Sequence, residues 1–401
     1  MTTSGDGLWL RFVSGPDIDA IGLTPADIVA AASDVVAAHG RGETVFEPRT
    51  HLEPDNGGRG HFNVLRGHVS TLGDHGVSGV KVVGDFVSNY QVGLPSELAL
   101  LTLYDPWTGV PQAILDATLI TEARTGAMTA VGARHLARAD AKVLGHIGAR
   151  GTAHSNIVML DAMFDLDEIR VTSRRPESRE AFAERLRAEL STPVVVTESA
   201  AETIDGADIA VEATRLQEPA SLITRDLLAP GSLLVPYGTI SALAPDLLDV
   251  VDKVVVDDWR EAQAGNFGAL RPHLRSGALT RDTVHAELGE VVTGARPGRE
   301  NDAERILFWH RGLSILDVAV GQLILERAEA ADLGTLVRFR CPIRWRRHPC
   351  SSTGRATSIA PPYARSLRGH RSSCPLGCSR ASPLAGRRRS PRWPTAPRCT
   401  A

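Results

Sequence analysis

The chain has 401 residues, long enough for two domains and a sizeable core. Its 43 % apolar and 23 % charged residues, with a formal net charge of −3, exclude a fibrous or low-complexity protein. No apolar run reaches the ~18 residues of a bilayer span, and MTTSGDGLWLRF lacks the basic and apolar regions of a secretory signal, so no membrane partner and a cytoplasmic location are expected.

In chain order, the spacing predicts a helix over TPADIVAAASDVVAAHG (24–40), with Thr24 as N-cap, Pro25 at N1 and Gly40 at its end. Residues 45–103 read as strand-rich, with Gly and Asn turns. TLITEARTGAMTAVGARHLARA (118–139) reads as a helix with small residues on its packing face. Strands and helices then alternate: KVLGHIGA, EIRVTSR, TPVVVTES, DIAVEAT, SLLVPYG and DKVVVDD as strands, with helices between the first four. Near-continuous apolar strands joined by helices signal a parallel, doubly wound sheet, an α/β fold. LSILDVAVGQLILERAEAA (313–331) reads as a long apolar helix.

The first strand–helix turn of that sheet, LGHIGARGTAHSNI (144–157), sits where a dinucleotide turn belongs. Gly148, Gly151, Thr152 and Ala153 keep small residues and a hydroxyl at the helix start, where backbone N–H groups favour a phosphate. Arg150 stands where the second glycine of the fingerprint belongs and offers a charged donor to a phosphate. The next strand ends in Ser173, Arg174 and Arg175, with Ser178 close by, and carries no acid for a ribose 2′-hydroxyl. A hydroxyl and two arginines suit a 2′-phosphate, so NADP(H) is favoured over NAD(H). No metal-ligand set is read from the sequence.

The last stretch differs. Residues 341–401 hold 13 Arg, no Lys, Asp or Glu, and all five cysteines: Cys341, Cys350, Cys374, Cys378 and Cys399. Residues 1–340 carry the remaining 31 basic and all 47 acidic side chains, and only three of those bases are lysines: Lys81, Lys142 and Lys253. The tail reads as an unfolded Arg/Pro/Ser-rich arm, best explained by out-of-frame translation of a GC-rich gene; a nucleic-acid arm or a cysteine module are the other readings.

GVKVVGDFVSNYQVGLPSELALLTLYDPWTGVPQAILDATLITEARTGAMTA (79–130) carries GVK at 79–81, Asn89, Gly93-Leu94-Pro95, Asp105, Thr108-Gly109, Pro111, Asp116 and Thr121-x-x-Arg124-Thr125. In order and spacing these residues resemble the ornithine cyclodeaminase/mu-crystallin family, and the likeness runs over about residues 10–338. The resemblance implies a homodimer whose substrate and dimerisation domain is built from residues 1–125 plus 310–340, with a Rossmann-like dinucleotide domain over 126–309 inserted in it. It implies hydride transfer at the Cα of a small α-amino or α-imino acid. Lys81 matches the family's active-site lysine, Arg49 and Arg124 its carboxylate-binding arginines, and Ser96 a small hydroxyl residue near the substrate. For the cofactor it implies Thr125, Ala213, Thr214 and Gly238 besides the turn residues. A buried lysine's pKa is readily lowered, which suits a proton shuttle.

Two departures bear on substrate. Ile240 occupies the place of the aspartate that handles the amino group in ornithine cyclodeaminases, and the acidic partner that the resemblance implies after Arg49 is absent from NGGRGHFNVLRG (56–67), where His61 is the nearest titratable candidate. The expected activity is therefore that of an NAD(P)-dependent amino-acid/imine oxidoreductase. Ornithine cyclodeamination to proline and a non-catalytic NADP-binding role are the alternatives.

Overall fold

The computed structural model describes residues 7–340; the tail expectations for 341–401 lie outside the described residues. Two sheets carry the chain. The first is built from β1 (Leu8–Val13), β2 (Thr44–Leu52), β3 (His61–Val69), β4 (Val77–Asp85), β5 (Glu97–Tyr104), β6 (Pro111–Asp116) and β15 (Thr335–Arg340), in the order β15-β1-β6-β5-β4-β3-β2. Its neighbours pair antiparallel, except β1 with β6, which are parallel.

The second sheet contains β7 (Val143–Ile147), β8 (Glu168–Thr172), β9 (Val194–Val196), β10 (Ile209–Glu212), β11 (Leu233–Pro236), β12 (Lys253–Val256), β13 (Ala286–Glu287) and β14 (Ile306–Trp309). Its order is β13-β12-β14-β11-β10-β7-β8-β9, parallel throughout. The order reverses between β7 and β10, the point at which doubly wound sheets bind ligands outside their strand ends. The expected α/β, Rossmann-like architecture is therefore present.

Helix α1 (Gly15–Ile21) and helix α2 (Pro25–Gly40) both open with a reciprocal capping box: Ser14 with Asp17, and Thr24 with Asp27. Helices α3 (Thr118–Leu136) and α10 (Ser314–Ala330) are buried along most of their length and fill the core between layers. Helix α4 (Ala153–Asp161) follows β7 and α5 (Pro176–Glu189) follows β8. The shorter helices are α6 (Ala200–Ile204), α7 (Trp259–Gln263), α8 (Arg271–Ser276) and α9 (Leu288–Val292). Among the described residues no single helix is long and apolar enough to cross a membrane; α1 and α2 reach that measure only as a pair bent by 100°.

The expected helices at 24–40, 118–139 and 313–331 are present, the second ending at Leu136. Strands β1, β6, β14 and β15 and helices α1 and α7 to α9 have no counterpart among the elements read from sequence periodicity.

Candidate active site

Lys81 comes from β4 and is 1 % exposed. Its Nζ donates to Asp317 Oδ1 of α10 at 2.5 Å and to Thr121 Oγ1 of α3 at 3.0 Å. Arg124, one turn after Thr121, donates from Nε to the same Asp317 Oδ1 at 3.0 Å. Two buried cations thus share one buried carboxylate, leaving the cluster one positive charge in excess. Arg124 Nη1 and Asp317 Oδ2 are buried with no hydrogen-bond partner among the described residues. A buried guanidinium N–H without an acceptor is costly, and an anion supplied from outside would satisfy it. Burial lowers the Lys81 pKa to about 8; Asp317 opposes that shift and Arg124 adds to it.

Arg49 reaches the same place from β2. The register between β2 and β3 slips between Glu47 and Thr50, so a bulge re-aims this side chain. Its Nε donates to Glu261 Oε1 of α7 at 2.7 Å, and its Nη2 donates to the carbonyls of Arg311 and Gly312. Asp257, at the end of β12, holds the same segment by accepting the N–H groups of Arg311 at 2.8 Å and Gly312 at 2.9 Å. Gly312 has φ +78°, and a Cβ there would lie 1.7 Å from Arg124 Nη1, so only glycine lets that guanidinium lie flat against the chain. The three cations named from the sequence therefore converge on residues 312–317.

Strand register defines the wall beside this cluster. Lys81 pairs opposite Leu65 and Leu101, so Asn63, Val83 and Ala99 lie one pleat along on the same face, and His61, Asp85 and Glu97 one pleat further. His51 lies opposite Asn63. Asn63 Oδ1 is buried without a partner. Asn63 thus stands between Lys81 and His61, where the sequence reading found no acid. Arg215, just after β10, bridges Asp85 at 2.9 Å and Glu97 at 2.6 Å and so ties the second sheet to the first. Ile240 is half-buried after β11. Ser96 lies one residue outside β5; its carbonyl accepts Phe86 N at 2.8 Å, and alternation puts it on the face opposite Glu97, away from Lys81.

The turn after β7 has the shape a dinucleotide needs. Gly148 has φ +117°, and a Cβ would meet Ala213 O at 2.7 Å, so the turn lies directly against the residues after β10. Gly148 N donates to Thr172 O and Ala213 N to Ile147 O, each at 2.9 Å. His146, fully buried, bonds Gly148 O through Nδ1 at 3.0 Å; burial pushes its pKa down to about 4, so it is neutral. Gly151, Thr152 and Ala153 lead into α4. The Arg150 guanidinium lies 5.2 Å from the Tyr90 ring centre. A groove of about 520 Å³ beside it is lined by Arg150, Gly151, His154, Arg185 and two glutamates. Ser173 donates to Arg175 O at 3.2 Å, and Arg174 and Arg175 are exposed. Thr214 and Gly238 flank Glu212, a fully buried acid at the end of β10 that accepts Thr214 N at 2.8 Å and Gly238 N at 3.2 Å. Thr125 does not reach this turn: it is 0 % exposed and its hydroxyl donates to Thr121 O within α3 at 2.8 Å.

The doubly wound parallel sheet agrees with what comparison finds. The family model of the ornithine cyclodeaminase/mu-crystallin family matches residues 26–332. The chain belongs to that family. The alanine dehydrogenase of Archaeoglobus fulgidus is 28 % identical over 312 residues, 77 % of this chain and 92 % of its own length. The Thermococcus litoralis Δ1-pyrroline-2-carboxylate reductase, solved with NADH and L-proline, superposes with TM-score 0.76 at 28 % identity, covering 82 % of this chain and all of the other. An archaeal alanine dehydrogenase dimer with bound NAD superposes with TM-score 0.75 at 26 % identity, over 83 % and 100 % of the two chains.

As a family member, the chain is expected to bind a nicotinamide dinucleotide, and its turn fits one. Asp317, Asn63 and Glu261 are site residues that the sequence reading does not single out. Asp317 had a legible signal, a lone acid within the apolar helix SILDVAVGQLIL. Asn63 had none, because only strand register puts it beside Lys81.

Proposed function

We propose that this family member is an NAD(P)-dependent oxidoreductase acting at the Cα of a small α-amino or α-imino acid, with NADP(H) preferred. The observation that carries the reading is the buried Lys81–Asp317–Arg124 cluster with its surplus positive charge and unpartnered Arg124 Nη1. An α-carboxylate is the anion this cluster lacks. When bound, the dinucleotide supplies the hydride that the imine carbon gains, or accepts the one that the amino-acid Cα loses.

The chain's residues then have distinct tasks. Arg124, backed by Asp317, and Arg49, backed by Glu261, hold the carboxylate and so fix Cα. Lys81, poised near pH 8, gives a proton to the nascent amine in reduction and takes one in oxidation. Asn63 Oδ1 accepts an N–H of the substrate nitrogen. Ile240 presents an aliphatic wall, which suits an uncharged side chain. Gly148, Gly151, Thr152 and Ala153 receive the pyrophosphate with Ala213, Thr214 and Gly238 beside them, while Arg150, Ser173, Arg174 and Arg175 supply donors for a 2′-phosphate. Ser96 and Thr125 have no task in this scheme.

The first sheet with α10 forms the substrate half and the second sheet the dinucleotide half of each subunit of a homodimer. Support for the dimer comes from the face of the first sheet opposite Lys81, where Val82, Leu98 and Leu100 are 41 %, 44 % and 53 % exposed. A second copy would cover them.

One observation favours the runner-up, cyclodeamination of a diamino acid. Asp85 and Glu97 lie on the Lys81 face and exceed Arg215 by one negative charge, so a side-chain ammonium has a partner there. The test follows nicotinamide absorbance with a cyclic imine acid and NADPH. Steady oxidation of NADPH supports the reductase reading. Ammonia release from ornithine without net NADPH change supports the runner-up.

A further inference from the structure

Behind the Arg49–Glu261 pair, three metal-binding side chains from three different elements converge. His39 belongs to the last turn of α2, Asp258 is the N-cap of α7, and Glu287 closes β13. Their donor atoms lie within 4.8 Å of one another. Each is oriented by a further contact. His39 Nδ1 is 2.8 Å from Thr44 Oγ1. Asp258 Oδ1 accepts Arg260 N at 2.8 Å and Glu261 N at 3.1 Å, which leaves Oδ2 facing the cluster. Glu287 Oε1 accepts Trp259 N at 3.3 Å.

We propose that His39, Asp258 and Glu287 bind a divalent transition-metal ion of the zinc type. His39 Nε2 and Asp258 Oδ2 are 3.4 Å apart, beyond the usual N–H···O range. Zinc holds nitrogen and oxygen ligands at about 2.0–2.2 Å, so two ligands of one tetrahedral ion lie about 3.4 Å apart. In the tautomer with Nδ1–H donating to Thr44 Oγ1, Nε2 would offer its lone pair to an ion held with the two carboxylates, and a dication would balance their charge. An imidazole among the donors selects against calcium and magnesium, which take oxygen. Two arginines reach the rim: Arg260 at 3.4 Å from Asp258 and Arg281 at 3.9 Å from Glu287. Both are about half exposed, and Arg260 also lies over the Phe46 ring, so either can give way to an ion.

The ion would tie α2 to the base of α7. Asp258 adjoins Asp257, which holds Arg311 and Gly312, and Glu261 of the same helix pairs with Arg49. Its role is structural, upstream of the cation cluster.

The test titrates the chelator-stripped full chain with Zn2+ alone by calorimetry, follows melting with and without Zn2+, and records the Co2+ spectrum. One ion per chain is expected, with a raised melting temperature and a tetrahedral Co2+ spectrum without a thiolate charge-transfer band. That band would mark the five cysteines of the tail instead. Glu287→Gln and His39→Ala should weaken this binding by more than about 100-fold, and Thr44→Val by about 10–100-fold as an outer-shell loss. Glu287→Gln keeps shape and volume, so it decides the matter even if His39→Ala fails to fold. No saturable site in the full chain, an unchanged stoichiometry in Glu287→Gln, or a thiolate band overturns the proposal.

Discussion

Lys81 is the residue on which the chemistry turns. Lys81→Ala should lower turnover by at least about 10²–10⁴-fold, the usual worth of a positioned acid–base group, while dinucleotide affinity is retained. Its pH behaviour follows from burial, which lowers its pKa to about 8. The ammonium form is the proton donor in imine reduction. The reductive kcat/KM should therefore be level below pH 8 and fall about tenfold per pH unit above it, whereas the oxidative rate, which needs the neutral amine, should rise about tenfold per unit up to pH 8 and be level above it. A flat profile through pH 8 removes Lys81 from the proton path. Asp317 is the partner that makes two buried cations tolerable. Asp317→Asn leaves them uncompensated and should cost about 3–5 kcal/mol, read as a fall in denaturation midpoint. At this scale Lys81, Arg49 and Arg124 were legible, because three rare or charged residues stood in a recognisable pattern. Asp317 was visible as a lone acid in an apolar helix, but its pairing with Lys81, 236 residues away in sequence, was not, and Asn63 was not visible at all because only strand register puts it beside Lys81.

Among the elements, the turn after β7 is the most constrained. Gly148→Ala introduces a Cβ that meets Ala213 O at 2.7 Å in a backbone conformation that L side chains rarely adopt. It should weaken both dinucleotides and destabilise the fold by about 1–3 kcal/mol. Arg150→Gly restores the second glycine of the dinucleotide fingerprint and should weaken NADPH more than NADH, measured by fluorescence titration; an equal effect on both ties Arg150 to Tyr90 alone. The alternating pattern of the second sheet was readable because buried parallel strands are apolar throughout. The short helices α7 to α9 were not, since, unlike α6, they do not stand between two strands readable from the sequence on either side. Strand β15 is exposed along its whole length and carries no inward-facing apolar set, so nothing in its own sequence marks it; pairing with β1 creates it.

For the whole molecule, the two sheets divide the work: one face of the first buries the cations, and the switch point of the second offers the turn. Arg215 is the ion-pair tie between them through Asp85 and Glu97. On the proposed reading a second copy covers the apolar outer face of the first sheet, where Val82, Leu98 and Leu100 are exposed. Leu100→Glu, opposite Val82 in the register, should yield a monomer in sedimentation velocity, whereas an unchanged dimer would place the interface elsewhere. On the proposed function, a substrate carboxylate and a nicotinamide dinucleotide meet at the Lys81–Arg124 cluster. The most direct measurement of it is steady-state turnover of NADPH and NADH against a panel of cyclic and acyclic α-imino acids, with Arg124→Ala as control. Turnover with at least one imino acid, preference for NADPH, and loss of that turnover in Arg124→Ala are predicted. No turnover across the panel, in either direction and with either dinucleotide, would contradict it.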